Sequence, residues 1–308
     1  MPSTSPVSRR SLLKTGLTAS AAGVLVSGAA AVTATPMATA TSDPGVNQQL
    51  QDLEKRYAAR LGVYARNVRT GETVRYRSGE RFPMCSTFKS LLAAHVMRDY
   101  DNRGEYLERV LYYAEDDLVD WSPITENLVN TGMAVRDLCM ATIALSDNTA
   151  ANVLLRATDG PGGFTRFCRS LGDSYTRLDR YEPDMSASVP GDVRDTTTPE
   201  AIGRDYAHLV LGRALKPFHR AQLVSWLKVN TTSGRRFRAG LPDDWVLGDK
   251  TGTGGFGTAN DIGIVWTPKG TTLVLSVMSS KELEGVPADD HLLAETAGLL
   301  ARTLAPHE

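Results

Sequence analysis

The chain has 308 residues and a formal net charge of −1, with 42% hydrophobic and 22% charged residues, which is ordinary for a globular protein. This length supports one large domain or two packed ones. With no basic stripe and no long charge run, the composition excludes a nucleic-acid partner and an interaction tail. The three cysteines and five histidines lack metal-site spacing, so we predict neither a metal nor a cofactor.

The first forty residues have the pattern of an export signal. Residues 8–14 read Ser-Arg-Arg-Ser-Leu-Leu-Lys, a weakly apolar stretch covers 17–32, and 38–40 read Ala-Thr-Ala, a fitting cleavage site. The apolar stretch is interrupted by Gly, Ser and Thr and is too weakly hydrophobic for a stable membrane span. We therefore predict a twin-arginine signal peptide over 1–40. The mature chain from about Thr41 is expected to be a secreted or periplasmic monomer without a membrane anchor.

Apolar periodicity predicts strands near both ends of the mature chain and helices in its middle. The first part reads as a helix over 47–60, a strand from Leu61 and its hairpin partner over 72–76. The middle part, from Ser86 to about Trp226, is mostly helical, with helices predicted over 88–97, 135–145 and 148–155. The last part reads as strands over 245–250, 261–266 and 271–278 and a helix over 290–304.

This order predicts a discontinuous α/β domain, formed by residues 41–85 and 226–308, with an all-helical domain of residues 86–225 inserted into it. Residues 179–199 break the helical pattern with prolines and charges. A structured loop of that length is usually functional. The groove between the two domains is the expected site.

Ser86 and Lys89 stand three residues apart at the start of a predicted helix. This spacing places both side chains on one face, where the amine can reach the hydroxyl. A serine at a helix N-terminus is also suited to nucleophilic attack on a carbonyl. The same pattern recurs at Ser11 and at Ser225. Taken alone, the motif is therefore better explained by helix capping.

Two further short motifs allow a catalytic and a structural interpretation. Residues 146–148 read Ser-Asp-Asn before a helix, where such residues commonly form an N-cap. In a catalytic role, Ser146 would relay a proton to a leaving nitrogen and Asn148 would bind a substrate amide. Residues 250–252 read Lys-Thr-Gly at a strand end, where the glycine allows a substrate to approach and Thr251 could donate to a carboxylate. The alternative is an edge strand with a solvated Lys250.

A fourth motif, Arg-Tyr-Glu-Pro over residues 180–183, lies between Ser-Asp-Asn and Lys-Thr-Gly in the sequence. The order of the four motifs resembles that of the class A serine β-lactamases. The resemblance covers about residues 45–305 and includes Asn152 and the segments 194–199 and 257–261. It implies a β-lactamase/transpeptidase-like fold of α/β plus all-α type, with an antiparallel sheet flanked by helices and the active site in a groove. The implied activity is hydrolysis of the β-lactam amide of penicillins and cephalosporins through a serine acyl-enzyme, which confers antibiotic resistance.

The resemblance implies a catalytic role for several residues. Ser86 would be the nucleophile, and the backbone N–H groups of Ser86 and Thr253 would form the oxyanion hole. Lys89 and Glu182 are both candidates for activating Ser86. Glu182 would be the general base for the deacylating water, and Ser146 would carry the proton to the ring nitrogen.

It also implies how the substrate is held. The substrate carboxylate would lie against Lys250, Thr251, Gly252 and Thr253, and the acylamino side chain against Asn148. Trp121 would form an aromatic wall, with a core tryptophan as the alternative. Arg180 and Asp195 would pair across the base of the loop that carries Glu182, in a structural role.

The chain departs from the family pattern at positions that bear on function. Ser186 stands where the family usually has an asparagine that helps to hold the hydrolytic water. Ala259 stands where many relatives carry an arginine. We expect Arg236, on the neighbouring strand, to supply this charge, with a surface arginine as the alternative. Gly254 and Ala93 occupy the positions of partner cysteines in some relatives, so no disulfide is expected.

Two other functions share part of this motif set. A D-alanyl-D-alanine carboxypeptidase or other penicillin-binding protein would have the serine and Lys-Thr-Gly motifs but would lack the Glu182 loop. A non-hydrolytic β-lactam sensor would become acylated and stay so. Ser186 is the one feature that favours the sensor, and the chain shows no transmembrane or effector segment through which it could signal.

Overall fold

A five-stranded antiparallel sheet is the centre of the fold in the computed structural model of the protein, which describes residues 44–308. The predicted signal peptide of residues 1–40 lies outside the described residues. The strands are β1 (Arg60–Asn67), β2 (Thr73–Tyr76), β3 (Phe82–Pro83), β4 (Val110–Leu111), β5 (Met133–Ala134), β6 (Thr196–Thr197), β7 (Val246–Thr253), β8 (Ala259–Trp266) and β9 (Thr272–Ser280). The sheet has the order β2-β1-β9-β8-β7, and two small ladders pair β3 with β6 and β4 with β5.

Helices cover both faces of this sheet. They are α1 (Pro44–Tyr57), α2 (Phe88–His95), α3 (Val135–Ala144), α4 (Asn148–Arg156), α5 (Gly160–Ser170), α6 (Pro199–Tyr206), α7 (Pro217–Lys228), α8 (Phe237–Gly240) and α9 (Asp290–Leu304). Single 3₁₀ turns occur at Cys85–Thr87, Glu115–Asp117, Thr125–Asn127 and Asp184–Ser186, and π-helical turns at Val96–Tyr100 and Ala207–Leu211.

The central strand β9 is buried on both faces, which explains its nearly continuous apolar sequence. Leu275 and Val277 belong to the core that the sheet forms with α1 and α9. Val274 and Met278 point to the other face and join the core formed with α2 to α7. Alternating side chains of one strand therefore serve two separate cores. The expected antiparallel sheet flanked by helices is confirmed.

Several predicted elements are confirmed, with shifts at their ends. The hairpin of β1 and β2 and the final helix lie where they were predicted. The first helix stops at Tyr57, three residues early, because Ala58 adopts a left-handed backbone with φ 45°. Strand β7 continues to Thr253, three residues beyond its predicted end, so the Lys-Thr-Gly motif forms the last part of the strand.

The division into the segments 41–85, 86–225 and 226–308 stays a prediction. Its second boundary falls inside α7, which packs against β7. Helix α6, from the predicted helical segment, also contacts β1, β8 and β9. Within residues 44–308, no helix combines the length and the hydropathy that a membrane crossing would need.

Candidate active site

A cavity of about 370 Å³ opens between the end of β7, the start of α2 and the loop that carries Glu182. Its walls are formed by Ser86, Trp121, Ser146, Asn148, Glu182, Pro183, Ser186, Thr232, Arg236, Thr251, Gly252 and Thr253. All of these except Pro183 and Thr232 are residues that the sequence predicted for the site. The structure thus brings together side chains that are separated by up to 167 positions in the chain (253 − 86).

Ser86 lies in the 3₁₀ turn of Cys85–Thr87 that leads directly into α2. The first residue of this turn, Cys85, adopts a left-handed backbone with φ 46°. The Ser86 hydroxyl faces the cavity and donates to Oε1 of Glu182 over 3.3 Å. A serine that hydrogen-bonds a carboxylate has a proton acceptor already in reach, as a nucleophile requires.

Lys89 is fully buried behind Ser86 and contacts three of the predicted residues. Its Nζ donates to the Ser146 carbonyl over 2.8 Å and to Oδ1 of Asn148 over 2.5 Å. It also lies 3.4 Å from Oε1 of Glu182, the atom that accepts from Ser86. Burial lowers the pKa of Lys89, and the Glu182 carboxylate opposes that shift. Glu182 Oε1 therefore joins the candidate nucleophile to the buried amine.

The backbone of Glu182 is fixed by one asparagine of α4. Asn152 donates through Nδ2 to the Glu182 carbonyl over 2.8 Å and accepts from the Glu182 N–H over 3.0 Å. The following peptide bond, to Pro183, is cis. The second carboxylate oxygen, Oε2, accepts from the Ser186 hydroxyl over 2.9 Å. Both oxygens of Glu182 are thus held in defined directions within the cavity.

Arg180 and Asp195 close the base of the Glu182 loop, as predicted. The guanidinium Nε lies 2.6 Å from Oδ2 of the buried Asp195. The other carboxylate oxygen accepts from the backbone N–H groups of Asp179 and Arg180 over 2.6 and 3.0 Å. Asp195, at one end of the loop, therefore holds Asp179 and Arg180 at the other end.

The Ser-Asp-Asn motif combines both interpretations that the sequence allowed. Asp147 is the N-cap of α4 and accepts from the Ala150 N–H over 2.8 Å. Ser146 precedes it in a left-handed conformation, with φ 60°. Its hydroxyl accepts from Nζ of Lys250 over 3.1 Å and from Nζ of Lys89 over 3.4 Å. Capping is thus the role of the aspartate, while the serine faces the amines of two lysines.

Lys250 is fully buried, so the alternative of a solvated lysine is wrong. The edge-strand position is confirmed, because β7 is the outer strand of the sheet. Burial lowers the pKa of Lys250 to about 7, and nearby Lys89 acts in the same direction while Asp249 and Asp261 oppose it. Burial therefore favours the neutral form of this amine.

Arg236 reaches the cavity, but from a different place than predicted. It immediately precedes α8 and does not lie on a strand, so the expected position on a neighbouring strand is wrong. It is only 5% exposed, so the surface alternative is also wrong. Its guanidinium donates to Oγ1 of Thr253 over 2.6 Å, to the Gly252 carbonyl over 2.8 Å and to Asp290 over 2.8 Å. A buried cation therefore lies directly behind the end of β7.

Trp121 is 65% exposed and lines the cavity, which contradicts the core alternative. Its indole N–H donates to the Leu145 carbonyl over 3.0 Å. Thr232 was missed by the sequence analysis. Its hydroxyl lies 2.5 Å from that of Thr251. No motif surrounds Thr232, and only the packing of its loop beside β7 brings it to the site.

All three cysteines are buried and free within the described chain: Cys85, Cys139 and Cys168. Gly254 lies beside Cys85, and a Cβ added to this glycine would lie 2.6 Å from the Cys85 sulfur. It would also lie 2.5 Å from the Ser186 carbonyl oxygen. Only a glycine fits between these atoms without displacing the loop.

Comparison with known proteins gives a consistent result. The family described as the Beta-lactamase enzyme family matches residues 45–306. A β-lactamase of Streptomyces lavendulae is 49% identical over 302 residues, covering 96% of this chain and 97% of that protein. The solved structure of a β-lactamase from Streptomyces albus G is 52% identical, with a TM-score of 0.83, covering 85% of this chain and 100% of that chain.

The solved structure of an ancestral β-lactamase, named as class A, is 51% identical, with a TM-score of 0.80 over 84% of this chain and 99% of that chain. These matches extend over nearly the whole described chain and agree with the geometry of the site. The chain therefore belongs to the β-lactamase enzyme family, as a class A serine member.

Proposed function

We propose that the protein hydrolyses the amide bond of β-lactam antibiotics, penicillins and cephalosporins, through an acyl ester on Ser86, and so confers resistance. The observation that carries this proposal is the 3.3 Å hydrogen bond from the Ser86 hydroxyl to the buried Glu182 carboxylate. A carboxylate in this position can act on both the nucleophile and a later water, as a hydrolase requires.

In the acylation step, Ser86 Oγ attacks the β-lactam carbonyl carbon and gives its proton to a base. Glu182 accepts the hydrogen bond of this hydroxyl, and Lys89, whose pKa burial lowers, is the second candidate base. The backbone N–H groups of Ser86 and Thr253 would stabilise the oxyanion. When the C–N bond breaks, the leaving nitrogen takes a proton from the Ser146 hydroxyl. Lys89 or Lys250, which both donate to this hydroxyl, can then return a proton to Ser146.

In the deacylation step, a water adds to the ester carbonyl and the bond to Ser86 Oγ breaks. Glu182 would take the proton from this water, and the proton would return to Ser86 as it leaves. Ser186 is positioned to orient the base, because its hydroxyl donates to Oε2 of Glu182. A penicillin-binding carboxypeptidase would lack this carboxylate.

The substrate carboxylate is proposed to lie at the end of β7, against Lys250, Thr251, Gly252 and Thr253. Arg236 adds a fixed positive charge at this end, since its Nη2 donates to Oγ1 of Thr253. An acylamino side chain would lie on the opposite side, beside Asn148, with Trp121 as a wall.

The same proposal includes the setting of the enzyme. We propose export through the twin-arginine signal of residues 1–40, a monomeric mature chain and the division into two domains predicted from the sequence. The arginine pair and the small residues before Thr41 support the export signal.

Turnover of the chromogenic cephalosporin nitrocefin by the purified mature chain tests the function. A hydrolase converts many substrate molecules per chain, whereas a sensor gives one stoichiometric burst. Ser86→Ala is the control, and it should abolish both turnover and burst. A single burst from the unmodified enzyme, or turnover that survives Ser86→Ala, would contradict the proposal.

A further inference from the structure

A second cavity, of about 420 Å³, lies outside the active site, at the junction of α5 and α6. Three potential metal ligands meet at this junction: Cys168 in the last turn of α5, Asp173 just after it and Asp205 in α6. One ligand atom from each lies within 4.8 Å of the others. All three are buried, and both aspartates line the cavity.

The carboxylate oxygens of this cluster are incompletely paired. Asp173 Oδ1 accepts from the backbone N–H groups of Tyr175 and Thr176 over 2.7 and 3.0 Å. Oδ2 of Asp173 and Oδ2 of Asp205 have no hydrogen-bond partner among residues 44–308, although Asp205 is only 2% exposed. Buried carboxylate oxygens are normally satisfied, so two such atoms side by side require a ligand or a shared proton.

Within the described chain, neither Asp173 nor Asp205 forms an ion pair. Arg169 lies nearby, but its Nη1 donates to the backbone carbonyls of Asp173 and Thr176, each over 2.7 Å. A cation would stabilise all three groups in their deprotonated forms.

We propose that Cys168, Asp173 and Asp205 form a binding site for a divalent cation that accepts thiolate, of which Zn²⁺ fits best. Zinc binds cysteine sulfur and carboxylate oxygen at about 2.0–2.3 Å in tetrahedral geometry, which places its ligand atoms roughly 3.5 Å apart. The ligand atoms lie within 4.8 Å of one another, so they would have to move closer together to reach that spacing. Mg²⁺ and Ca²⁺ prefer sites made only of oxygen and are less suitable.

The fourth ligand would come from the cavity. His208 lies three residues after Asp205, lines the same cavity and is exposed. His208 belongs to the π-helical turn that follows α6, so its imidazole, or a water in the cavity, can complete the coordination. The ion would link α5 to α6, the helices that precede and follow the Glu182 loop. Its role would be structural, since none of these residues lines the active site.

Titration of the metal-free mature enzyme with Co²⁺, a spectroscopic substitute for Zn²⁺, tests the site. We expect one equivalent to bind per chain with thiolate-to-cobalt charge-transfer absorption, Zn²⁺ to displace it, and Zn²⁺ to raise the Tm through binding to the folded state. Cys168→Ser should abolish the charge-transfer absorption and weaken binding about tenfold or more. Cys139→Ser removes a different buried thiol and is the matched control, which should bind like the unmodified enzyme.

Asp205→Asn keeps the test decisive if Cys168→Ser does not fold. It removes a ligand but retains the shape of a neutral carboxyl group, so the fold should persist while Co²⁺ binding weakens about tenfold or more. Absence of saturable charge-transfer absorption in the unmodified enzyme would overturn the proposal, and a shared proton would then explain the pair. Equal Co²⁺ affinity in Asp205→Asn and the unmodified enzyme would overturn it as well.

Discussion

At the scale of single residues, Glu182 is the point where the contacts of the site converge. Oε1 faces both the Ser86 hydroxyl and the Lys89 amine, while Oε2 accepts from Ser186. The position of the carboxylate is therefore set by two residues at the start of α2 and by one residue of its own loop. Changes at any of these contacts should alter the chemistry more than the stability of the fold.

Ser186 is predicted to hold the hydrolytic water less well than an asparagine would. Its short hydroxyl already donates to Glu182, whereas an asparagine offers a donor and an acceptor at longer reach. Ser186→Asn should raise the deacylation rate for at least one slowly released substrate, as measured from pre-steady-state bursts. Equal or slower deacylation across penicillins and cephalosporins would show that the present loop already compensates for the serine.

Lys250 is predicted to give the site a specific pH dependence. Because its pKa is lowered to about 7, the free enzyme loses this charge as the pH rises through that value. The kcat/KM for a carboxylate-bearing β-lactam should therefore fall on the alkaline side of about pH 7. In Lys250→Arg the guanidinium stays charged, so this decline should disappear from the pH profile. The same alkaline decline in both enzymes would assign it to another group.

Arg236 is predicted to supply the charge that Ala259 lacks. A charge-assisted hydrogen bond contributes about 1.5–3 kcal/mol, so Arg236→Ala should lower kcat/KM about ten- to a hundredfold. Ala259 pairs with Thr253 across the ladder, so adding Ala259→Arg should restore part of the loss. Arg235→Ala is the matched control, because this neighbouring side chain is 78% exposed.

Kinetics on one penicillin would decide the role of Arg236. If Arg236→Ala stays within twofold of the Arg235→Ala control, carboxylate binding rests on Lys250 and the two threonines of β7.

At the scale of elements, the Glu182 loop is predicted to be stabilised by the contacts between its two ends. Asp195 is buried and pairs with Arg180 while accepting two backbone N–H groups. Asp195→Ala removes all of these acceptors, so it should lower the free energy of unfolding by about 3 kcal/mol. Urea unfolding of the mature chain measures this loss.

Arg194→Ala is the control for the loop. It breaks only the exposed pair with Asp192, and such surface pairs contribute little to stability because solvent screens them. If Asp195→Ala unfolds at the same urea concentration as this control, the contacts of Asp195 do not stabilise the loop.

The elements that could be predicted are those whose own residues show a periodic pattern of apolar side chains. The alternation in β1 and β2 and the apolar periodicity of α9 require no knowledge of distant residues. Helix α5 was not predicted separately, because it opens with Gly-Pro-Gly-Gly, a composition typical of turns. A proline is tolerated in the first helical turn, where its missing N–H costs nothing. Whether a segment of this composition forms a helix is decided by its tertiary packing.

At the scale of the whole molecule, the site exists because the sheet edge and the helical side of the fold meet at β7. Motifs with fixed spacing, such as Ser86 with Lys89, could be found from the sequence and the family resemblance. The place of Arg236 could not, since its approach to Thr253 depends on how α8 packs against α9. Thr232 carries no local signal and was missed for the same reason.

The central claim is that Ser86 carries an acyl ester which Glu182 clears. The most direct test is intact-mass and peptide mapping of Glu182→Ala after brief exposure to penicillin, together with its steady-state turnover. We predict one adduct per chain, located on Ser86, and turnover lowered by about a hundredfold or more, the order expected for loss of a general base. An adduct on Ser225, or turnover equal to that of the unmodified enzyme, would contradict the account.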